Sequence, residues 1–140
     1  MILFCDTSAL VKLYVREEGT DAVAEQAAAS EVIAVCRIAW VELMSAMARR
    51  SREHAQDTEA LAEARRRFEA DWPRYLVLEV SPALIELAGD YAEAFALRAY
   101  DSVQLAAGQI LHREDPGGVR FGWFDHRVGK AARALGIGAM

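Results

Sequence analysis

The chain lacks an apolar run long enough to cross a membrane. Its longest hydrophobic segments are interrupted by Arg37, Glu42 and Arg98. Asp6 interrupts the first apolar segment, so the sequence offers no core for a secretory signal peptide. We therefore expect a protein that stays in the cytoplasm and does not associate with membranes.

Cysteine and histidine are scarce, with two and three copies respectively. Neither a Cys-x-x-Cys nor a His-x-x-x-His spacing occurs, which argues against a zinc site. Cys5 and Cys36 lie in segments rich in Ile, Val, Leu and Phe, and we expect two such thiols to be buried as small hydrophobic side chains. No Gly-x-Gly-x-x-Gly follows a predicted strand, which excludes dinucleotide binding.

An excess of positive charge is also missing, since the formal net charge is −5. This balance argues against a general nucleic-acid-binding surface. It does not exclude an enzyme that acts on nucleic acid, because a site lined by carboxylates adds negative charge that bound metal ions offset locally. The hydrophobic share of 54% and the length of 140 residues predict one folded domain over residues 1–140.

Short apolar runs alternate with amphipathic segments along the chain. Strands are predicted at 2–5, 32–36, 75–80 and 119–124. Helices are predicted at 9–15, from 20 to about 29, at 38–51, at 57–72, from 81 onward, at 100–112 and at 125–136. This alternation predicts an α/β fold with helices on both faces of a parallel sheet. Right-handed crossovers then place the carboxyl ends of the strands at one edge.

Four acidic residues are candidates for a site at that edge. Asp6 directly follows the first predicted strand, and Asp125 directly follows the fourth. Glu42 is the only charged residue in the apolar stretch 38–48, early in the helix after the second strand. Asp101 opens a helix that is itself preceded by a helix, so its spacing alone does not direct it to the edge.

Carboxylates held close together repel one another unless a cation compensates them. Their convergence therefore implies Mg²⁺ or Mn²⁺, hard ions that prefer oxygen ligands. Such an ion activates a water molecule and stabilises charge on a phosphate, so the inferred chemistry is phosphodiester hydrolysis. The alternative is that Asp6, Asp101 and Asp125 only cap helices.

The sequence around these acids resembles the four acidic motifs of PIN-domain ribonucleases, and more narrowly of VapC-type toxins from toxin–antitoxin pairs. The resemblance extends from residue 2 to about residue 137. The motifs are Asp6-Thr7-Ser8-Ala9-Leu10, Glu42-Leu43-x-Ser45-Ala46, Tyr100-Asp101-Ser102-Val103-Gln104-Leu105-Ala106 and Phe124-Asp125-His126-Arg127.

This resemblance implies a PIN-like α/β/α sandwich with a central parallel sheet of four or five strands. It also implies an Mg²⁺- or Mn²⁺-dependent endoribonuclease that forms a homodimer and is inhibited by a small cognate antitoxin. Asp6, Glu42 and Asp101 would be the core metal ligands, with Asp125 completing the site directly or through water. A hydroxyl of Thr7 or Ser8 could orient ligands or phosphate.

Arginines are concentrated on two successive predicted helices, at positions 49, 50, 52 and 65–67. They could form a track for an RNA backbone, or they could be solvated residues paired as Glu63–Arg67 and Arg65–Glu69. We favour the second interpretation for residues 65–67. Arg49 is the exception, because it lies two turns beyond Glu42 on the same helix face and could contact phosphate.

Two other enzyme classes fit the pattern less well. A haloacid-dehalogenase-like phosphatase needs a second aspartate two positions after the first, where this chain has Ser8. A phosphorylated receiver domain needs its acceptor aspartate after a later, central strand. The remaining alternative is a catalytically inactive PIN-like module that binds protein partners, but such a scaffold has no physical need for four mutually repelling acids.

Overall fold

The computed structural model describes all 140 residues and contains four strands: β1 (Ile2–Cys5), β2 (Val32–Cys36), β3 (Leu76–Leu78) and β4 (Val119–Gly122). They form one parallel sheet in the order β3-β2-β1-β4. At the carboxyl edge, Cys5 is paired with Gly122 and Cys36 with Leu78. The predicted α/β fold with a central parallel sheet is confirmed, with four strands.

The helices of at least nine residues are α2 (Thr20–Ala29), α3 (Ala39–Glu53), α4 (Thr58–Asp71), α5 (Pro82–Phe95), α6 (Ala99–Glu114) and α7 (His126–Ala134). A single turn, α1 (Thr7–Leu10), precedes α2 and continues into a 3-10 turn, Val11–Leu13. None of the helices combines the length and the hydrophobicity that a membrane span requires.

The central strands are buried on both faces, which explains their continuous apolar sequences. Alternate residues of β1 enter different cores: Leu3 and Cys5 pack with α1, α3 and α4, whereas Phe4 packs with α5, α6 and α7. Both cysteines are buried and unpaired, as expected. The result is a three-layer α/β/α arrangement in which the site lies at the strand ends.

Several predicted boundaries are wrong. The helix expected at 9–15 starts at Thr7 and loses its α-helical geometry after Leu10. The strand expected at 75–80 contains only Leu76–Leu78, as befits an edge strand with a single partner.

The fourth strand ends at Gly122 instead of residue 124, so Asp125 does not directly follow it. Pairing with the β1 segment ends where the Asp6 N–H donates to the Gly122 carbonyl at 3.1 Å. Beyond that point the Phe124 N–H donates to the Ser8 hydroxyl at 3.0 Å instead of to a backbone carbonyl. A side chain therefore replaces the sheet hydrogen bond and directs the chain into α7.

The short connection between α5 and α6 determines where the N-terminus of α6 lies. Ala96 adopts a left-handed conformation with φ of 52°, and Leu97 is buried beneath it. This turn lets α6 pack closely against α5 and begin at the carboxyl edge of the sheet.

Candidate active site

Four helix N-termini lie at the carboxyl edge, and each carries one of the predicted acids. Asp6 is the N-cap of α1 and Asp125 is the N-cap of α7. Glu42 and Asp101 lie in the first turns of α3 and α6. The positive ends of the helix dipoles favour carboxylates in these positions.

Asp6 is almost fully buried, with 4% of its surface exposed. Its Oδ1 accepts hydrogen bonds from the Ala9 N–H at 3.0 Å and from the Ser8 hydroxyl at 2.7 Å. Burial raises the pKa of Asp6 to about 7, although the bonds from Ser8 and Ala9 oppose the rise. The negative charges of Asp101 and Glu42 add to the increase in pKa, so the three carboxylates influence one another electrostatically.

Glu42 is held by two side chains from other elements. Its Oε1 accepts hydrogen bonds from the Thr7 hydroxyl at 3.0 Å and from Gln104 Nε2 at 2.7 Å. Gln104 Nε2 also lies 3.1 Å from the Thr7 hydroxyl oxygen, which closes a triangle of polar groups. Burial raises the pKa of Glu42, and the nearby Asp101 charge contributes to that rise.

Asp101 and Asp125 are joined by Arg98, the residue at the N-cap position of α6. Arg98 Nε donates to Asp101 Oδ2 at 3.1 Å, and Arg98 Nη2 lies 3.9 Å from Asp125 Oδ2. The Arg98 side chain is 77% exposed, so this ion pair is weak and easily exchanged. Oδ1 of Asp125 accepts from the N–H groups of Arg127 and Val128, completing the helix cap.

The four carboxylates share one pattern: a single oxygen of each accepts the hydrogen bonds, and the second oxygen accepts none. The second oxygens are Asp6 Oδ2, Glu42 Oε2, Asp101 Oδ1 and Asp125 Oδ2. The capping interpretation of Asp6 and Asp125 is therefore correct as far as it goes. Capping uses one oxygen of Asp6 and one of Asp125, and the second oxygen of each accepts no hydrogen bond, although Asp125 Oδ2 faces Arg98 at 3.9 Å.

This donor set suits a hard divalent cation, because it consists of carboxylate and hydroxyl oxygens. No three acidic, histidine or cysteine side chains lie close enough to surround an ion as they stand. Asp101 is instead paired with the guanidinium of Arg98. The chemistry of the residues fits Mg²⁺ or Mn²⁺, and exchange of Arg98 for a metal ion would free Asp101 as a ligand.

A cavity of about 470 Å³ opens beside two of these acids. Its polar lining is formed by Glu42, Ser45, Arg49, Arg98 and Asp101. An adjoining cavity of about 330 Å³ shares Arg98 and Asp101 with it and adds Asp125 and Arg127. Arg49, expected near the acids from its spacing alone, thus lies in the same cavity as Glu42.

Known proteins that resemble this chain identify its family. The family model described as PIN domain matches residues 3–132. Two Mycobacterium tuberculosis proteins, Ribonuclease VapC45 (strain CDC 1551 / Oshkosh) and Ribonuclease VapC49 (strain ATCC 25618 / H37Rv), are each 33% identical over 135 residues, covering 96% of this chain and 92% of their own. The chain belongs to the PIN-domain family, among its VapC-type ribonucleases.

A similar solved structure supports the fold. The Mycobacterium tuberculosis toxin VapC20, described as cleaving the sarcin-ricin loop, superimposes with a TM-score of 0.61 at 18% identity, covering 92% of this chain and 94% of VapC20. The predicted PIN-like α/β/α sandwich is therefore confirmed, as is the predicted resemblance to VapC-type ribonucleases.

Two polar residues of this PIN domain were not predicted to belong to the site. Gln104 is 2% exposed and lies one helical turn beyond Asp101 on α6, a spacing that already placed both on one face. Arg98 lies three residues before Asp101, so the same periodicity applies to it. The spacing of Gln104 and Arg98 from Asp101 in the sequence could have indicated that they lie near the site, but their contacts are visible only in the folded structure.

Among the other arginines, the predicted ion pair Arg65–Glu69 is present. The predicted pair Glu63–Arg67 is wrong: Glu63 pairs with Arg66, and Arg67 instead donates to the Tyr14 carbonyl. Arg67 therefore stabilises contacts between α4 and the 3-10 turn, and these residues are not part of the site.

Proposed function

We propose that this VapC-type ribonuclease cleaves RNA at the cluster formed by Asp6, Glu42, Asp101 and Asp125, with Mg²⁺ or Mn²⁺ as its cofactor. PIN-domain VapC ribonucleases are metal-dependent endonucleases. One observation supports the assignment of residues: four carboxylates from separate segments lie at one edge of the sheet, and each has an oxygen that accepts no hydrogen bond.

The acids have distinct tasks in this proposal. Asp6, Glu42 and Asp101 would hold the ion, and Asp125 would complete the site directly or through water. When bound, the ion activates a water molecule for attack on the phosphodiester and offsets the charge that develops on the phosphate. The carboxylates of Asp6 and Glu42 are oriented before the ion binds, because they accept hydrogen bonds from Ser8, Thr7 and Gln104.

The hydroxyl groups and arginines position the reactants. Ser8 connects two acidic segments, since it donates to Asp6 and accepts from the Phe124 N–H. Thr7 fixes the direction of the Glu42 carboxylate. Arg49 lines the cavity beside Glu42, where its guanidinium can bind a phosphate of the RNA backbone.

The alternative of a catalytically inactive binding module is disfavoured by the unfavourable free energy of a charged, buried Asp6. An inactive scaffold would keep a buried Asp6 whose pKa is raised to about 7 without gaining stability from its charge. Enzymes accept such unfavourable carboxylates because a bound ion or substrate needs them.

The test is cleavage of RNA in Mg²⁺ or Mn²⁺, compared with EDTA and with Asp101→Asn. Asp90→Asn is the matched control, because Asp90 is an exposed acid on α5 outside the cluster. We expect activity only with the divalent ion, loss of activity in Asp101→Asn and normal activity in the control. Metal-independent cleavage, or full activity of Asp101→Asn, would refute the assignment.

Family membership also supports the remaining proposals: residues 1–140 act as one domain, the chain forms a homodimer in the cytoplasm, and a small cognate antitoxin inhibits it. The product of an adjacent short reading frame should co-purify with the chain and abolish RNA cleavage. Sedimentation of the isolated chain should give the mass of a dimer. A chain that purifies alone as a monomer and is harmless when expressed would contradict these proposals.

A further inference from the structure

The cavity beside Glu42 and Asp101 has an apolar side as well as a polar one. Val41, Ala99 and Tyr100 line it together with the acids and arginines. Val41 is 60% exposed and Tyr100 is 64% exposed, the two largest exposures among the bulky hydrophobic side chains of the chain. Such surface is unfavourable in water, so its position at the site calls for a ligand that covers it.

The sequence couples this apolar surface directly to the acids. Val41 precedes Glu42 in the first turn of α3, and Tyr100 precedes Asp101 in the first turn of α6. The first turns of α3 and α6 therefore place an apolar side chain next to each of these two carboxylates. The Tyr100 ring has no aromatic partner and its hydroxyl makes no hydrogen bond within the protein, so the ring is free to contact a ligand.

We propose that Tyr100 and Val41 form a binding site for one unstacked nucleobase next to the phosphate that is cleaved. The proposal rests on the proposed ribonuclease function and adds to it a subsite that holds one base of the RNA. A base held in a duplex presents only its edges, whereas an unpaired base can turn its face onto an aromatic ring.

The charges around the cavity match a nucleotide better than a second copy of this chain. Arg49 and Arg98 lie on the same lining as Tyr100 and can bind phosphates on either side of the base. The volume of about 470 Å³ falls within the usual range of small-molecule sites. An interface between copies of this chain would instead bury four charged side chains along with two apolar ones, an unfavourable exchange.

The experiment combines Tyr100 variants with a substrate that lacks one base. A short single-stranded RNA with a mapped cleavage position is prepared intact and with an abasic ribose at each position flanking the cut. Wild type, Tyr100→Ala and Tyr100→Phe are compared in Mn²⁺. Ile85→Ala is the control, because Ile85 is an exposed hydrophobic residue of α5 that does not line the cavity.

For intact RNA, we expect Tyr100→Ala to raise KM by about 5- to 150-fold, the range for loss of one base–aromatic stack. Tyr100→Phe and Ile85→Ala should keep the wild-type KM. At one flanking position the abasic RNA should be a poor substrate for wild type, and Tyr100→Ala should cause no further loss with it, because both changes remove the same contact. A duplex containing the same sequence should be cleaved poorly by every variant.

Independent measurements separate the possible failures. The increase in melting temperature caused by Mn²⁺ should be the same for wild type and Tyr100→Ala, since the carboxylates are unchanged. Wild type that does not cleave RNA in Mn²⁺ would refute the proposed function itself. Cleavage by wild type with additive effects of Tyr100→Ala and the abasic position would refute only the base site. A change of oligomeric state in Tyr100→Ala would also overturn it, because the patch would then be an interface between copies of the chain.

Discussion

Replacing Asp6 by asparagine should stabilise the metal-free protein at neutral and alkaline pH while it removes the function. Asparagine keeps an oxygen that can accept the hydrogen bonds from Ser8 and the Ala9 N–H, so the cap of α1 is preserved. What disappears is a carboxylate with 4% exposure close to Glu42 and Asp101. The substitution therefore removes an unfavourable charge and leaves the local hydrogen bonds intact.

The size of the effect follows from the pKa of Asp6. Burial raises this pKa from 3.8 to about 7, which corresponds to about 4 kcal/mol of unfavourable free energy once the group is ionised in the folded protein. Between pH 4 and pH 7 the folded protein holds a proton that the unfolded chain has lost. The stability of the wild type should consequently fall across this window as the pH rises.

We expect the Asp6→Asn protein to exceed the wild type by about 2–4 kcal/mol above pH 7, or on the order of 5–15 °C in melting temperature. The difference should shrink toward zero near pH 4, where Asp6 is neutral in both states. Thermal unfolding followed by circular dichroism in EDTA, from pH 4 to pH 9, measures the difference curve directly. Subtracting the two curves cancels the titration of groups that both proteins share.

A bound metal ion should reduce or reverse this difference in stability between the wild type and Asp6→Asn. Saturation at about 100 times the dissociation constant adds about 2.7 kcal/mol to a protein that binds the ion only when folded. Mn²⁺ should therefore raise the melting temperature of the wild type and have little effect on Asp6→Asn. The reasoning fails if the variant is less stable than the wild type in EDTA at pH 8, if the difference is independent of pH, or if both proteins respond equally to Mn²⁺.

Two further substitutions test the environment of the site, and a third tests the packing of α6 against β4. Gln104→Ala should lower kcat by about tenfold with little change in the fold, because Glu42 loses its 2.7 Å donor; circular dichroism alongside cleavage assays checks this, and wild-type kcat would remove Gln104 from the support of the site. Arg49→Ala should weaken RNA binding and make it less sensitive to salt, which binding titrations at two ionic strengths measure; an unchanged salt dependence would argue against a phosphate contact. Gly108→Ala should lower stability by about 1–3 kcal/mol in urea unfolding, since the new Cβ would lie 2.1 Å from the Phe121 ring; a stability equal to wild type would show that the ring moves aside at no cost.

Much of the site could be predicted locally, because strand endings and helix starts are encoded by neighbouring residues. The apolar run of β1 and the capping residues after it place Asp6 at the edge without reference to the rest of the molecule. The same holds for Glu42, which follows β2 by a short turn. In a parallel sheet both strands end on the same side, so their acids approach each other.

The position of Asp125 was only partly predictable. Its segment follows the fourth strand, yet that strand stops at Gly122 because Ser8 binds the Phe124 N–H. The hydroxyl and the N–H that it binds are 116 residues apart in the chain. No local pattern could have indicated such a contact.

Local hydrophobic periodicity and helix capping are enough to predict the fold class, the order of strands and helices along the chain, and the acids that follow β1 and β2. The position of Asp101 at the same edge depends instead on long-range packing, since it requires the left-handed turn at Ala96 and the packing of α6 on α5. The same packing brings Gln104 within hydrogen-bonding distance of Glu42, and Arg98 pairs with Asp101 at the start of α6. These contacts join residues on different elements, and their energies depend on burial that exists only once the layers have packed.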